Sequence, residues 1–174
     1  MTEIEVKIRI GDVKSARERI LALGAVVARE RHLEKNALFD FASGALGEGG
    51  RALRLRTAGK RATLTFKGER RKSRSFKVRE ELETQVRDPG QARKILRALG
   101  LRETFAYEKR RTVFRKARLT VALDETEAGS FIELEGERHE IVRFAKALGY
   151  GRADFITTSY PDLLAGREGT DGAA

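Results

Sequence analysis

A chain of 174 residues with a formal charge of +10 and no cysteine can bury roughly two-thirds of its unfolded surface around one core, and it excludes disulfides, thiol chemistry and thiolate metal sites. No window approaches the roughly 18 uninterrupted apolar residues of a membrane span, and the opening MTEIEVKIRI has no apolar stretch behind a basic one, so a reducing cytoplasm is the expected setting. The positive charge predicts attraction to a polyanion, whether nucleic acid, an acidic surface or a nucleotide, without choosing among them.

Period-2 alternation predicts strands at residues 2–10, 33–41, 51–58, 61–67, 74–86, 105–115, 118–124 and 130–135. Helical spacing of apolar residues predicts helices at 12–23 (Val13, Ala16, Ile20, Leu23), 89–99 (Ala92, Ile95, Leu96, Leu99) and 138–148 (Ile141, Val142, Phe144, Ala145, Leu148). All three stop at the tripeptide Ala-Leu-Gly, whose glycines Gly24, Gly100 and Gly149 suit a left-handed helix end. Each of these helices follows a strand containing Glu-x-Glu, which reads as pseudo-symmetry within one domain. The glycine-rich segment Ser43 to Gly50 reads as a mobile connection, and the run from Lys67 to Arg74 as a solvated basic loop. Ser159 and Asp162 have capping-box spacing at the start of a short last helix, and residues 166–174 read as a disordered tail. The expected fold is α+β: one domain over residues 1–165, a closed eight-stranded antiparallel β-barrel with a charged interior and the helices packed outside.

Residues two apart in a strand share a face. Glu3, Glu5 and Lys7 therefore oppose Ile4, Val6 and Ile8, while Arg54 and Arg56 oppose Leu53 and Leu55. Likewise Lys67 opposes Leu64 and Phe66, and Glu133 and Glu135 oppose Ile132 and Leu134. The apolar side must face the helices, which leaves a heavily charged opposite face. A sheet with one dry and one solvated face would read the same way strand by strand. The charges are sorted, however: the first and last strands bring carboxylates, and the third, fourth and sixth bring Arg54, Arg56, Lys67, Lys109 and Arg111. If the sheet closes, both sets converge. A small barrel normally fills its interior with apolar side chains, so a charged one implies a compensating ligand. Two Glu-x-Glu pairs supply hard oxygen donors for Mg²⁺, and the Arg and Lys set supplies donors for phosphate oxygens.

The opening EIEVK resembles the E-x-E-x-K signature of the CYTH superfamily, the triphosphate tunnel metalloenzymes, which includes class IV adenylate cyclases and thiamine triphosphatases. The resemblance continues in order through ALRLRT, LTFKG, REELE, KRR, ALDE, GSFIELEG and TSYPDLL, covering roughly residues 2 to 164. It implies that Glu3, Glu5, Glu133 and Glu135 hold a divalent cation, Mg²⁺ or Mn²⁺, with Asp124 beside them. It also implies that Lys7, Arg54, Arg56, Lys67, Lys109 and Arg111 bind the triphosphate, and that Glu5, Lys7 and Asp124 act at the reacting phosphorus. Arg79, Glu81 and Glu83 could equally pair with neighbouring bases, and Tyr160 could close the tunnel or anchor the last helix. His32 and His139 match no position of the pattern.

Two reactions fit that set. In a cyclase the ribose 3′-hydroxyl of ATP attacks the α-phosphorus and pyrophosphate leaves; in a triphosphatase, water attacks the terminal phosphorus of tripolyphosphate or thiamine triphosphate. The spacing from LTFKG through REELE to LDE and GSFIELE resembles the cyclase-like subgroup, although Asn36 and Leu38 stand where that subgroup's pattern has an acidic and an aromatic residue. A non-catalytic polyphosphate or nucleic-acid binder is the third reading. Nucleic-acid binding is not expected, because carboxylates on the charged face would repel a phosphate backbone and stacking aromatics are few. A homodimer is compatible with the sequence.

Overall fold

The computed structural model describes residues 2–166 apart from 70, 72 and 74. The expected tail beyond residue 166, and Arg70, Lys72 and Arg74 of the basic loop, lie outside the described residues. The elements run β1 (Thr2–Ile10), α1 (Val13–Ala22), β2 (Val26–Phe41), α2 (Ala45–Glu48), β3 (Ala52–Ala58), β4 (Arg61–Lys67) and β5 (Lys77–Gln85). There follow α3 (Pro89–Ala98), β6 (Leu101–Lys116), β7 (Leu119–Thr126), β8 (Gly129–Glu135), α4 (Arg138–Ala147), a 3₁₀ turn (Arg152–Asp154) and α5 (Tyr160–Leu164). The strands form a closed antiparallel barrel in the order β1-β5-β4-β3-β2-β6-β7-β8. No described helix is long and apolar enough to cross a membrane.

The three main helices end as their sequence predicts. Gly24, Gly100 and Gly149 have φ of +80°, +87° and +86°, a region in which a Cβ would crowd the following carbonyl. Asp12 and Asp88 cap α1 and α3 by accepting hydrogen bonds from the backbone N–H groups of Ser15 (2.8 Å) and Gln91 (3.0 Å), which satisfies donors that the first helical turn leaves open. Ser159 caps α5 and exchanges hydrogen bonds with Asp162.

Two expectations are corrected. The segment after β2 is a helical turn, α2, because Asp40 gathers it: its Oδ1 accepts from the N–H of Phe41 (2.7 Å) and Leu46 (2.9 Å), and its Oδ2 from Gly47 (2.9 Å). The second and sixth strands are each 16 residues long, extended from the expected 33–41 and 105–115 back almost to the preceding glycines. The polar runs Arg29-Glu30-Arg31 of β2 and Arg102-Glu103-Thr104 of β6 interrupt the alternation near the strand starts.

The chain divides into two compact units. One comprises Glu3–His32, Lys72–Val78 and the chain from Lys109 onward. Its core joins Val6 and Ile8 of β1, Val121 and Leu123 of β7, and Ile132 and Leu134 of β8 to Ala16 and Ile20 of α1 and to Ile141, Phe144 and Ala145 of α4. Ile20 has no exposed surface, and its truncation to Ala would cost about 2–5 kcal/mol. The other unit comprises mainly Leu33–Arg71 and Arg79–Glu108. Its smaller core joins Ala37 and Phe39 of β2 and Leu55 of β3 to Leu96 of α3 and Leu101. In both units the helices cover the apolar face, leaving the charged residues on the other.

Candidate active site

In the first unit, register assembles the charges. Glu5 lies opposite Glu135 and Lys7 opposite Glu133 across β1 and β8. Across β7, Ala122 faces Glu133, and Asp124 faces Arg111 of β6. Alanine at 122 leaves room for the long side chains around it. Lys7 Nζ stands 3.2 Å from Glu5 Oε1 and 3.6 Å from Glu133 Oε2, and Lys77 Nζ lies 2.5 Å from the same Glu5 oxygen. Arg111 forks onto Asp124, Nε to Oδ1 at 2.6 Å and Nη2 to Oδ2 at 2.5 Å, and its Nη2 also reaches Glu133 Oε1 at 2.7 Å. Lys109 Nζ donates to Asp124 Oδ2 at 3.0 Å.

Apart from the half-buried Arg111, these groups are buried, Lys7 at 1% and Asp124 at 0% exposure, and burial is the largest influence on Lys7, Asp124 and Glu133. For Asp124 burial pushes the carboxyl up, but the charges of Arg111 and Lys109 and hydrogen bonds from Arg111 and Tyr160 together hold it well below the usual carboxylate range. Burial pushes Glu133 up while Arg111, Lys109 and Lys7 pull it down against repulsion from Glu5; the net direction is down. Burial lowers Lys7, and Glu5 and Glu133 more than restore it. Each group is charged because its neighbours are.

The residues fit a divalent cation in chemistry. Glu5 and Glu133 are buried carboxylates converging on Lys7, and Mg²⁺ takes one or two such oxygens together with substrate phosphates. Among the described residues no group of three histidine, cysteine or acidic side chains forms a cation cage by itself; Lys7, Lys77 and Arg111 engage the oxygens of Glu5 and Glu133. Glu3 is half-buried and Glu135 exposed on the same strands.

In the second unit, Arg56 of β3 lies opposite Asn36 of β2, and Arg54 opposite Thr65 of β4. Arg56 Nε donates to Asn36 Oδ1 at 2.9 Å and stands 3.4 Å from Glu34 Oε2. Arg54 Nη2 lies 4.0 Å from Glu83 Oε2, an oxygen that accepts from Thr65 Oγ1 at 2.6 Å. Lys67 pairs with Glu81, its register partner in β5. Glu81 and Glu83 thus hold the bases opposite them, and Arg79 is buried on the same strand.

In the first network four cations (Lys7, Lys77, Lys109, Arg111) pair with three carboxylates (Glu5, Asp124, Glu133), so the charges are partly compensated within the protein and a positive excess is left. Lys77 and the pair Glu34 and Asn36 were missed from sequence. Lys77 shares the alternation of Arg79, Glu81 and Glu83 and could have been found by extending it two residues back.

A family model for the CYTH domain matches residues 1–160. The chain belongs to the CYTH family. Membership makes it an enzyme of the adenylate cyclase or triphosphatase kind, in a family that is generally metal-dependent. This CYTH protein is 28% identical, over 94% of its length and 98% of the relative's, to a Methanocaldococcus jannaschii protein bearing the name "putative adenylate cyclase". Among solved structures it resembles a Pyrococcus horikoshii protein (TM-score 0.79, 26% identity, 92% of this chain and 98% of that one). A Hippeastrum protein, named for adenylyl cyclase and described with a dominant triphosphatase activity, shares the fold (TM-score 0.72, 23% identity, 95% and 96% covered).

Proposed function

We propose that this CYTH enzyme is a class IV adenylate cyclase-like protein that uses Mg²⁺ or Mn²⁺ to convert ATP to cyclic AMP and pyrophosphate. The observation that carries the reading is the buried network in which Glu5 and Glu133 converge on Lys7 beside the Arg111–Asp124 fork. In this reading Glu5 and Glu133, with Glu3 and Glu135, hold the cation. When bound it would stabilise charge on the phosphoryl oxygens and activate the nucleophile. Lys7, Lys109, Arg111, Arg54, Arg56 and Lys67 would take phosphate oxygens as forked or point-charge donors. Asp124 keeps Lys109 and Arg111 oriented, and those cations in turn hold its carboxyl anionic. Phosphate oxygens would add to the partners of these cations, and any carboxylate they displaced would need the divalent cation as its new partner, because a buried carboxylate left unpaired is costly.

A triphosphatase is the second reading. It is favoured by the neutral Asn36 and apolar Leu38 where the cyclase-like pattern has an acidic and an aromatic residue, and by the activity described for the Hippeastrum protein. One paired assay decides: with Mn²⁺ or Mg²⁺ the purified protein should form cyclic AMP and pyrophosphate from ATP. Orthophosphate from tripolyphosphate or thiamine triphosphate, without a cyclic product, establishes the hydrolase instead.

A further inference from the structure

Asn36 is 3% exposed and faces Arg56 directly across β2 and β3. Its Oδ1 accepts from Arg56 Nε at 2.9 Å. A guanidinium has donors only, so the amide cannot be turned the other way: the oxygen must meet Arg56, and Nδ2 must point elsewhere. Among the described residues Nδ2 meets no acceptor. A buried amide donor without an acceptor weakens the fold, and an aspartate would remove that defect while pairing with Arg56 more strongly. Keeping an asparagine therefore calls for an acceptor from outside the protein.

The neighbours indicate which. Arg56 lies beside the amide, and the next pair along the same face places Arg54 opposite Leu38, with Thr65 opposite Arg54 in turn. Two carboxylates stand nearby, and each is engaged with a base: Glu34 with Arg56, and Glu83 with Arg54 and with the Thr65 hydroxyl. Donors gathered in this way suit an oxygen-rich anion better than a nucleobase, which presents donors as well as acceptors. An amide adds a donor where further cations would need further carboxylates.

We infer that Asn36 is a substrate-binding residue whose Nδ2 donates to a phosphate oxygen of the triphosphate. The inference rests on the reading of the chain as a triphosphate-processing enzyme and adds a neutral contact to its set of cations. It also accounts for an asparagine where the cyclase-like pattern is acidic: a carboxylate would occupy Arg56 and offer the phosphate nothing.

The test combines calorimetric binding of tripolyphosphate and of ATP, without added metal, with thermal melting of the ligand-free protein, for the wild type, Asn36→Asp and Asn36→Ala. Both variants should bind tripolyphosphate and ATP at least about tenfold more weakly than the wild type. Asn36→Asp should melt no lower than the wild type, because it keeps the acceptor for Arg56 and loses the orphan donor. If the wild type neither binds nor turns over any triphosphate with Mg²⁺ or Mn²⁺, the functional reading itself fails. If the wild type binds and Asn36→Ala binds tripolyphosphate within about twofold of it, Asn36 does not contact phosphate and the inference is overturned. Weakening confined to ATP would overturn it too, by moving the contact to the nucleoside. Should Asn36→Asp fail to fold, Asn36→Ala decides alone: a large loss of melting temperature with unchanged binding would make Asn36 a structural support of Arg56.

Discussion

Tyr160 Oη donates a hydrogen bond to Asp124 Oδ2 at 2.6 Å, joining α5 to the anion that holds Lys109 and Arg111. The tyrosine ring stacks under two ammonium groups, 4.9 Å from Lys7 Nζ and 4.5 Å from Lys109 Nζ, and meets Phe131 edge-on at 5.7 Å. These contacts anchor the last helix to the charged network.

Tyr160→Phe keeps the ring contacts and removes the hydroxyl. A hydrogen bond to a charged group contributes about 1.5–3 kcal/mol, so urea denaturation should show a loss of that order. Turnover should fall several-fold and KM should rise, because Asp124 orients Lys109 and Arg111, the proposed phosphate donors.

Burial, and then the charge of Asp124, push the Tyr160 hydroxyl well above its ordinary value. Of the three tyrosines, one should resist ionisation in an alkaline absorbance titration until the protein unfolds. In Tyr160→Phe that resistant component should be absent. Tyr160 and Lys7 both have raised folded-state values, so the stability they contribute is present below about pH 10 and lost as pH rises further.

At the acid end the sign reverses. Asp124 and Glu133 are lowered in the folded state, so their contribution is present above about pH 4 and lost as pH falls through their folded values. Denaturant midpoints measured from pH 7 downward should hold until about pH 4 and then decline. In Tyr160→Phe, where Asp124 has one stabilising donor fewer and a smaller downward shift, the decline should start at the same pH but be smaller and end at higher pH.

Glu5 and Glu135 are register partners with opposite expectations. Glu5 is buried between Lys7 and Lys77, and Glu5→Ala leaves two buried ammonium groups without that carboxylate, a change costing about 3–5 kcal/mol. Glu135 is exposed, and Glu135→Ala should abolish metal-dependent turnover while leaving the melting temperature nearly unchanged. A large stability loss in Glu135→Ala would make that carboxylate structural.

Gly24→Ala tests a helix end. At φ +80° the added Cβ has open space, with Lys116 Nζ at 3.9 Å, so the cost should be the conformational one alone, about 1 kcal/mol. Chemical denaturation measures it directly.

The sorting of Glu5, Lys7, Asp124 and Glu133 away from the apolar core is legible in strand alternation alone, because a strand's two faces are defined by neighbours one residue away. Ala-Leu-Gly marks the helix ends for the same local reason. The starts of β2 and β6 are less legible, since the polar runs Arg29-Glu30-Arg31 and Arg102-Glu103-Thr104 interrupt the alternation. Which charges meet is not legible either. Lys77 reaches Glu5 across 72 positions of sequence, Tyr160 reaches Asp124 across 36, and the orphaned amide of Asn36 exists only because Arg56 of another strand claims its oxygen. Sequence alone determined the family's charged residues and the face that carries them, since those depend on spacing along one chain; register and burial decided their partners, because electrostatic pairing depends on distances that only the folded chain brings about.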